Sequence, residues 1–211
     1  MGVASQTVQD RLRVGFGLDH LWAESMGFPK SDTKERPLRL VAELLNAAAV
    51  PYAVIGGVAM QIRSADPRTT LDIDIAVSRF ADVPHAALIA AGFEHTGRHA
   101  HSDDWRAPAI ADGGLRTAVQ FSAEDVGIAE AVAKAEATEL ADGLVLRVAT
   151  PADLIVLKLA AAREPSRRPS KREHDVADIV ALMEAYPSLR TSETLAALRE
   201  VRLALLDLDA Q

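Results

Sequence analysis

The sequence predicts an α/β (α+β) protein, a mixed sheet region followed by a helical one, and three features predict it. Leu38, Val41, Leu44, Leu45 and Ala48 recur at three- and four-residue spacing, which marks an amphipathic helix ending near Val50. Two strand-like runs follow, Tyr52-Ala53-Val54-Ile55 and the strictly alternating Leu71 to Val77. From Thr150 onward the pattern is helical, broken by a loop that holds two prolines and two arginines. The expected organisation is an N-terminal arm over 1–36, a core over 37–149 and a helical part over 150–211.

With 211 residues, 49% hydrophobic and 25% charged, the chain is long enough to bury a sizeable core. Lys+Arg 23 against Asp+Glu 30 leaves a formal net charge of -7, so a nucleic-acid contact must use a local basic patch. The absence of cysteine excludes disulfides, thiolate zinc sites and cysteine nucleophiles. Met1 to Leu12 lack the apolar core of a signal peptide, and no run nears the roughly 20 apolar residues of a membrane-spanning helix. A cytoplasmic protein that meets no membrane is expected.

The first segment, to about Lys34, mixes Gly15, Gly17, Gly27 and Pro29 with short apolar patches. It reads as a helical arm or a partly ordered tail, with no function assigned. After the strand at Tyr52–Ile55, Gly56-Gly57 stand at a strand-helix junction and Val58 to Ile62 open a helix. Ser64 to Thr70 is a polar loop. Asp82 to Ala91 reads as a helix closed by Gly92, Phe93 to Arg106 as strand or hairpin, and Leu115 to Phe121 as a strand after the turn Asp112-Gly113-Gly114. A helix over Glu124 to Leu140 and a strand over Leu144 to Val148 follow. Thr150-Pro151-Ala152-Asp153 then gives a helix start with an N-cap Thr, Pro at N1 and an acid at N3. That helix should reach about Arg163, with further helices at about Lys171 to Tyr186 and Ser192 to Leu206.

Asp72 and Asp74 carry the most chemistry. Residues two apart on a strand share a face, so the two carboxylates stand side by side and repel. A cation relieves that repulsion, and hard oxygen ligands suit Mg²⁺ or Mn²⁺; the simpler reading is a solvated face of an edge strand. Gly56-Gly57 allow close backbone approach to a phosphate at a helix N-terminus. With the loop Arg68-Thr69-Thr70, these features make a coherent site for nucleoside triphosphate chemistry.

At these residues the chain resembles the nucleotidyltransferase superfamily, specifically the minimal nucleotidyltransferases of the AbiEii type, which include toxins of type IV toxin-antitoxin pairs. The resemblance rests on Ile55-Gly56-Gly57-Val58-Ala59 and Arg68-Thr69-Thr70-Leu71-Asp72-Ile73-Asp74-Ile75. It rests also on Asp153-Leu154-Ile155-Val156-Leu157-Lys158-Leu159-Ala160-Ala161, then Arg172 and Asp175-Val176-Ala177-Asp178-Ile179, and covers about residues 38 to 186. It implies a nucleotidyltransferase-type mixed sheet core with a helical C-terminal part. It further implies that Asp72 and Asp74 bind the divalent metal, Gly56 and Gly57 contact phosphates with Arg68 and Thr70 in the same nucleotide site, and Lys158 touches the triphosphate. Asp175 would be an additional catalytic acid supported by Asp178.

The implied reaction moves a nucleotidyl group from a nucleoside triphosphate to an acceptor hydroxyl. The acceptor would be RNA, specifically tRNA, and a cognate antitoxin would hold the enzyme in check. Two departures stand out: Val58 replaces a hydroxyl residue after the Gly pair, and Gln120 stands where the wider superfamily has a third carboxylate. An amide cannot accept a proton, so either Asp175 takes the base role, which is the favoured reading, or the acceptor hydroxyl is activated some other way, or the enzyme is slow or inactive. A small-molecule acceptor, as in antibiotic nucleotidyltransferases, and a catalytically degenerate nucleotide-binding protein are the alternatives. His95, His99 and His101 with Asp103 and Asp104 gather zinc-ligating residue types, though an exposed polar hairpin is the simpler reading. Arg163, Arg167, Arg168, Lys171 and Arg172 form a basic group suited to a triphosphate tail or an RNA backbone, or simply to solvent.

Overall fold

The computed structural model describes residues 7–28, 34–64, 69–109, 116–140 and 143–209. Within them the chain runs α1 (Val8–Ser25), α2 (Glu35–Ala47), β1 (Tyr52–Ile55), α3 (Gly56–Arg63), β2 (Asp72–Val77), α4 (His85–Ala90), β3 (Glu94–Arg98) and β4 (Asp103–Arg106). It continues as β5 (Ala118–Ser122), α5 (Ile128–Lys134), β6 (Glu136–Glu139), β7 (Val145–Val148), α6 (Pro151–Arg163), α7 (Pro169–Ala185) and α8 (Ser192–Asp209). The strands form one mixed sheet in the order β3-β4-β5-β2-β1-β7-β6. β2 lies inside it, antiparallel to β1 and parallel to β5. The aspartate strand is therefore central, which removes the solvated-edge reading.

Alternation sets the two faces of β2. Ile73, Ile75 and Val77 are wholly buried in a core that also takes residues from α1, α2, α6, α7 and α8. Asp72 and Asp74 project from the opposite face. The sheet's edges are β3 and β6, whose residues are almost all exposed and include Glu94, Arg98, Glu136 and Glu139. A register shift between His95 and Gly97 interrupts β3.

In the N-terminal segment the described residues form α1, a helix docked on the rest of the fold. A capping box between Thr7 and Asp10 starts α1, and Leu12 and Phe16 enter the core. The expected single helix over Glu124 to Leu140 is instead α5 followed by strand β6. Gly127 at φ +77° and an extended Ala135 bound α5, and Glu136 to Glu139 pair with β7. The alanine-rich composition favours helix, but pairing with β7, an Arg147 hydrogen bond to the Ala135 carbonyl (2.9 Å) and the Arg63–Glu136 ion pair (2.9 Å) override it.

The expected helix at Asp82 is shortened because Pro84 disfavours helical geometry at Val83; a 3-10 turn covers Phe80–Asp82 and α4 starts at His85. The Phe93 to Arg106 region is a hairpin, and the strand ending at Phe121 runs over Ala118–Ser122. The Asp112-Gly113-Gly114 turn lies outside the described residues. No helix of the described residues is long and apolar enough to cross a membrane.

The start of α6 is as expected: the Thr150 hydroxyl oxygen accepts from the Asp153 N–H at 3.1 Å, with Pro151 at N1. α6 packs on α7, so this cap supports the helix pair that carries the site's cations. Thr150→Ala is expected to lower stability by about 1 kcal/mol. Urea unfolding should show a lower midpoint at an unchanged m-value, and an unchanged midpoint would show that the cap contributes nothing.

Candidate active site

The register across the sheet centre places Ile55, Asp74, Gln120 and Asp104 in one row on β1, β2, β5 and β4. Gly56 follows Ile55 directly and starts α3 at φ +60°, in the left-handed region that glycine tolerates. A Cβ at Gly56 would lie 1.8 Å from Asp74 Oδ2, and one at Gly57 would lie 2.2 Å from Thr70 Oγ1. The glycine pair is thus required by the side chains packed on it. The Gly57 N–H donates to Asp74, and the Thr70 hydroxyl donates to Asp72 Oδ1 at 3.1 Å. Val58 is wholly buried in the core, which explains its departure from a hydroxyl residue. Arg68 lies outside the described residues.

α6 and the loop after it bring the cations, and α7 brings the acids that hold them. Lys158 Nζ lies 2.9 Å from Asp175 Oδ1 and 2.8 Å from Asp178 Oδ2. Arg167 Nε, in the α6–α7 loop, donates to Asp175 Oδ2 at 2.9 Å. Asp175 is only 1% exposed, and both of its oxygens are held by cations. The basic group separates in the structure: Arg172 is buried and donates to the Ala162 carbonyl near the end of α6 at 2.6 Å, while Arg163 pairs with Glu200 at 3.0 Å. Arg167 alone of these joins the Lys158 network.

Electrostatics tie the halves together. Burial first, and the neighbouring Asp72 carboxylate second, push the Asp74 carboxyl up to about 6; Lys158, the Gly57 N–H and Arg167 oppose the shift. Burial also works against the charge of Lys158, but Asp178 and Asp175 outweigh it and hold the ammonium above the ordinary lysine value. A carboxylate pair with one member so disfavoured as an anion is a site short of positive charge, and its hard oxygens fit Mg²⁺ or Mn²⁺.

The histidines do not assemble a zinc site. His95 and His85 bind the fully buried Asp103 at 2.6 and 2.9 Å, His99 lies 3.4 Å from Asp104, and His101 lies 3.2 Å from Asp125. Their carboxylate partners differ because Asp103 and Asp104 point to opposite faces of β4, and His99 and His101 sit in the turn beyond β3. Among the described residues no group of three or more His, Asp or Glu is placed to hold a metal.

Three features carried no sequence signal. Asp104 extends the Asp74–Gln120 row by one strand, which only the register reveals. Asp19 of α1 accepts from the Thr70 N–H at 2.8 Å across a long stretch of chain without a motif. A cleft of about 740 Å³ opens between the sheet, α5 and α6, lined in part by Ile55, Ser122, Asp125, Leu157, Glu164 and Arg167.

Because Asp74 binds its proton more tightly when folded, its ionisation costs stability as pH rises from about 4 through about 6. Asp74→Asn is therefore expected to stabilise the metal-free protein at pH 7 by about 1–3 kcal/mol, a gain that disappears near pH 4. Thermal unfolding in a chelating buffer at both pH values checks this, and an equal gain at both would refute it. Gly56→Ala should remove activity more severely than a surface Gly17→Ala, because its Cβ displaces Asp74.

The fold is similar to those of several solved proteins. The structure is similar to an antigenic nucleotidyltransferase-like protein from Paracoccidioides brasiliensis (TM-score 0.53, 21% identity, 82% of this chain and 88% of that one). It is similar to JHP933 from Helicobacter pylori (TM-score 0.54, 15% identity, 79% and 71%). A third likeness is to ANT(2″)-Ia in complex with adenylyl-2″-tobramycin (TM-score 0.52, 16% identity, 82% and 99%). No curated protein matches the sequence. The model of the family described as nucleotidyl transferase AbiEii toxin, type IV TA system, matches residues 39–210. That match takes in the whole sheet and both helices of the cation network, so the chain belongs to the AbiEii family and is a nucleotidyltransferase.

Proposed function

We propose that the protein transfers a nucleoside monophosphate group from a nucleoside triphosphate to a hydroxyl of RNA, with tRNA as the substrate, as the toxin of a pair with an antitoxin. The observation that carries the transfer reading is the Asp72–Asp74 pair within electrostatic reach of Lys158 and Arg167, which Asp175 holds together. In the reaction the acceptor oxygen bonds to the α-phosphorus while the bond to the pyrophosphate oxygen breaks, and the acceptor's proton passes to solvent water, because Asp175, expected as the base, is buried with both oxygens held by Lys158 and Arg167. Asp72 and Asp74 would hold a divalent cation, which when bound neutralises triphosphate charge and stabilises the leaving group.

The chain's own residues do the positioning. Gly56 and Gly57 let the first turn of α3 approach the phosphates, where the helix N-terminus favours anions. Thr70 fixes the Asp72 carboxylate through its hydroxyl. Lys158 and Arg167 receive the negative charge that develops toward pyrophosphate. Asp175, with both oxygens held, orients these two cations, and with Asp178 it keeps Lys158 charged against burial. Gln120, beside Asp74, offers the acceptor hydrogen bonds without taking its proton.

A second reading, a small-molecule acceptor, is favoured by the cleft beside the row, whose Asp125 and Glu164 suit a cationic hydroxyl compound. ANT(2″)-Ia, to which the fold is similar, was solved with an adenylylated tobramycin. The toxin part of the proposal follows the description of the matched family, and RNA as the acceptor follows the resemblance set out in the sequence analysis.

Incubation with Mg²⁺, each α-labelled nucleoside triphosphate and total tRNA distinguishes them. Label is expected in RNA with wild type and not with Asp72→Ala/Asp74→Ala, and chelation of Mg²⁺ should abolish it. Lys158→Met should lower kcat by about 10²-fold or more, as loss of a preorganised charge at a leaving group does. Label absent from RNA but transferred to an aminoglycoside would establish the second reading; nucleotide binding with no transfer to either would refute both.

A further inference from the structure

Thr70, which carries the hydroxyl to Asp72, is itself held from a segment outside the family match. Its N–H donates to Asp19 Oδ1 at 2.8 Å, and Asp19 Oδ2 lies 2.8 Å from Lys34 Nζ. Asp19, Lys34 and Thr70 are all buried, at 6%, 5% and 8% exposure. Such a pair is a poor choice for stability alone, since two charges must be desolvated where apolar side chains would carry no such cost. What it supplies is direction. One carboxylate oxygen binds the ammonium, and the other accepts from the Thr70 backbone amide at the entry to β2.

α1 is fixed firmly enough to act through that contact. Leu12 and Phe16 are in the core, Arg11 Nη1 donates to the Ser64 carbonyl after α3 at 3.3 Å, and Gly15 lets the helix approach Gln61 of α3. A Cβ at Gly15 would lie 2.6 Å from the Gln61 side chain. The same helix thus grips α3, which carries the glycine pair, and the loop before the aspartates.

We infer that Asp19, held by Lys34, is a positioning residue of the active site: it fixes the Thr70 backbone so that the Thr70 hydroxyl orients Asp72 toward a divalent cation. The cation rests on the proposed function, whereas the relay from Lys34 through Asp19 and Thr70 to Asp72 does not.

Amide exchange by NMR and Mn²⁺ binding by water proton relaxation test this on the full chain without nucleotide, in wild type, Asp19→Asn, Asp19→Ala and Thr70→Val. Asp19→Ala should speed exchange of the Thr70 amide about tenfold while the Ile73 and Ile75 amides stay protected. Asp19→Asn keeps an oxygen acceptor and should speed it less. Mn²⁺ affinity should fall about tenfold in both Asp19→Ala and Thr70→Val, the size expected when a ligand's orienting partner is lost. Unchanged Thr70 exchange in Asp19→Ala, or Mn²⁺ affinity unchanged in both variants, overturns the inference. If Asp19→Ala unfolds, with all amides exchanging together, faster Thr70 exchange in Asp19→Asn and weaker Mn²⁺ binding in Thr70→Val support it, and their absence overturns it. A wild type that binds no Mn²⁺ would count against the proposed function, and Thr70 exchange alone would then decide the relay.

Discussion

Two like charges two residues apart on a central strand are the constraint around which this protein is arranged. Ile73 and Ile75 bury one face of β2 and oblige Asp72 and Asp74 to share the other. No shift of the strand can part them, because residues two apart share a face in any register, and a shift by one would only send both isoleucines to the polar face. The surrounding structure manages the charge instead. An amide from the start of α3 reaches Asp74, a hydroxyl reaches Asp72, and Lys158 and Arg167 act on Asp74 from the helical side.

The short helix α3 is where these demands meet. Its first residue has to be glycine both for a positive φ and for the volume occupied by Asp74, and its second leaves room for Thr70. Its third, Val58, belongs entirely to the core. Within one turn the chain passes from a polar centre that tolerates no side chain to an apolar interior that requires one. The helix is clamped between β1, to which it is joined directly, and α1, which packs along it.

Much of this was legible in the sequence because the signals were local. The glycine pair, the alternating aspartate strand and the Thr150 cap each depend on residues a few positions apart, and the lysine-bearing helix followed from its resemblance to a known pattern. What was illegible depends on pairing between distant segments. The residues Glu136 to Glu139 have helical composition and become strand only because β7 offers a partner. Asp104 joins the Asp74 row through the register of β4 and β5, and Asp19 reaches Thr70 through the packing of α1. The basic residues around the α6–α7 loop looked like one patch, yet a carbonyl, a glutamate and an aspartate divide three of them among separate tasks.

The two ends of the sheet bear on how the molecule meets others. β3 is irregular and β6 is short, and both present charged side chains to solvent. An incoming strand needs a straight run of open amides and carbonyls with tolerable side chains beside it, and neither border provides one. The sheet therefore ends with this chain. Self-association by edge-to-edge pairing, the usual hazard of an open sheet, is disfavoured on both sides, which leaves the helical surfaces and the open cleft as the faces through which the protein presents itself.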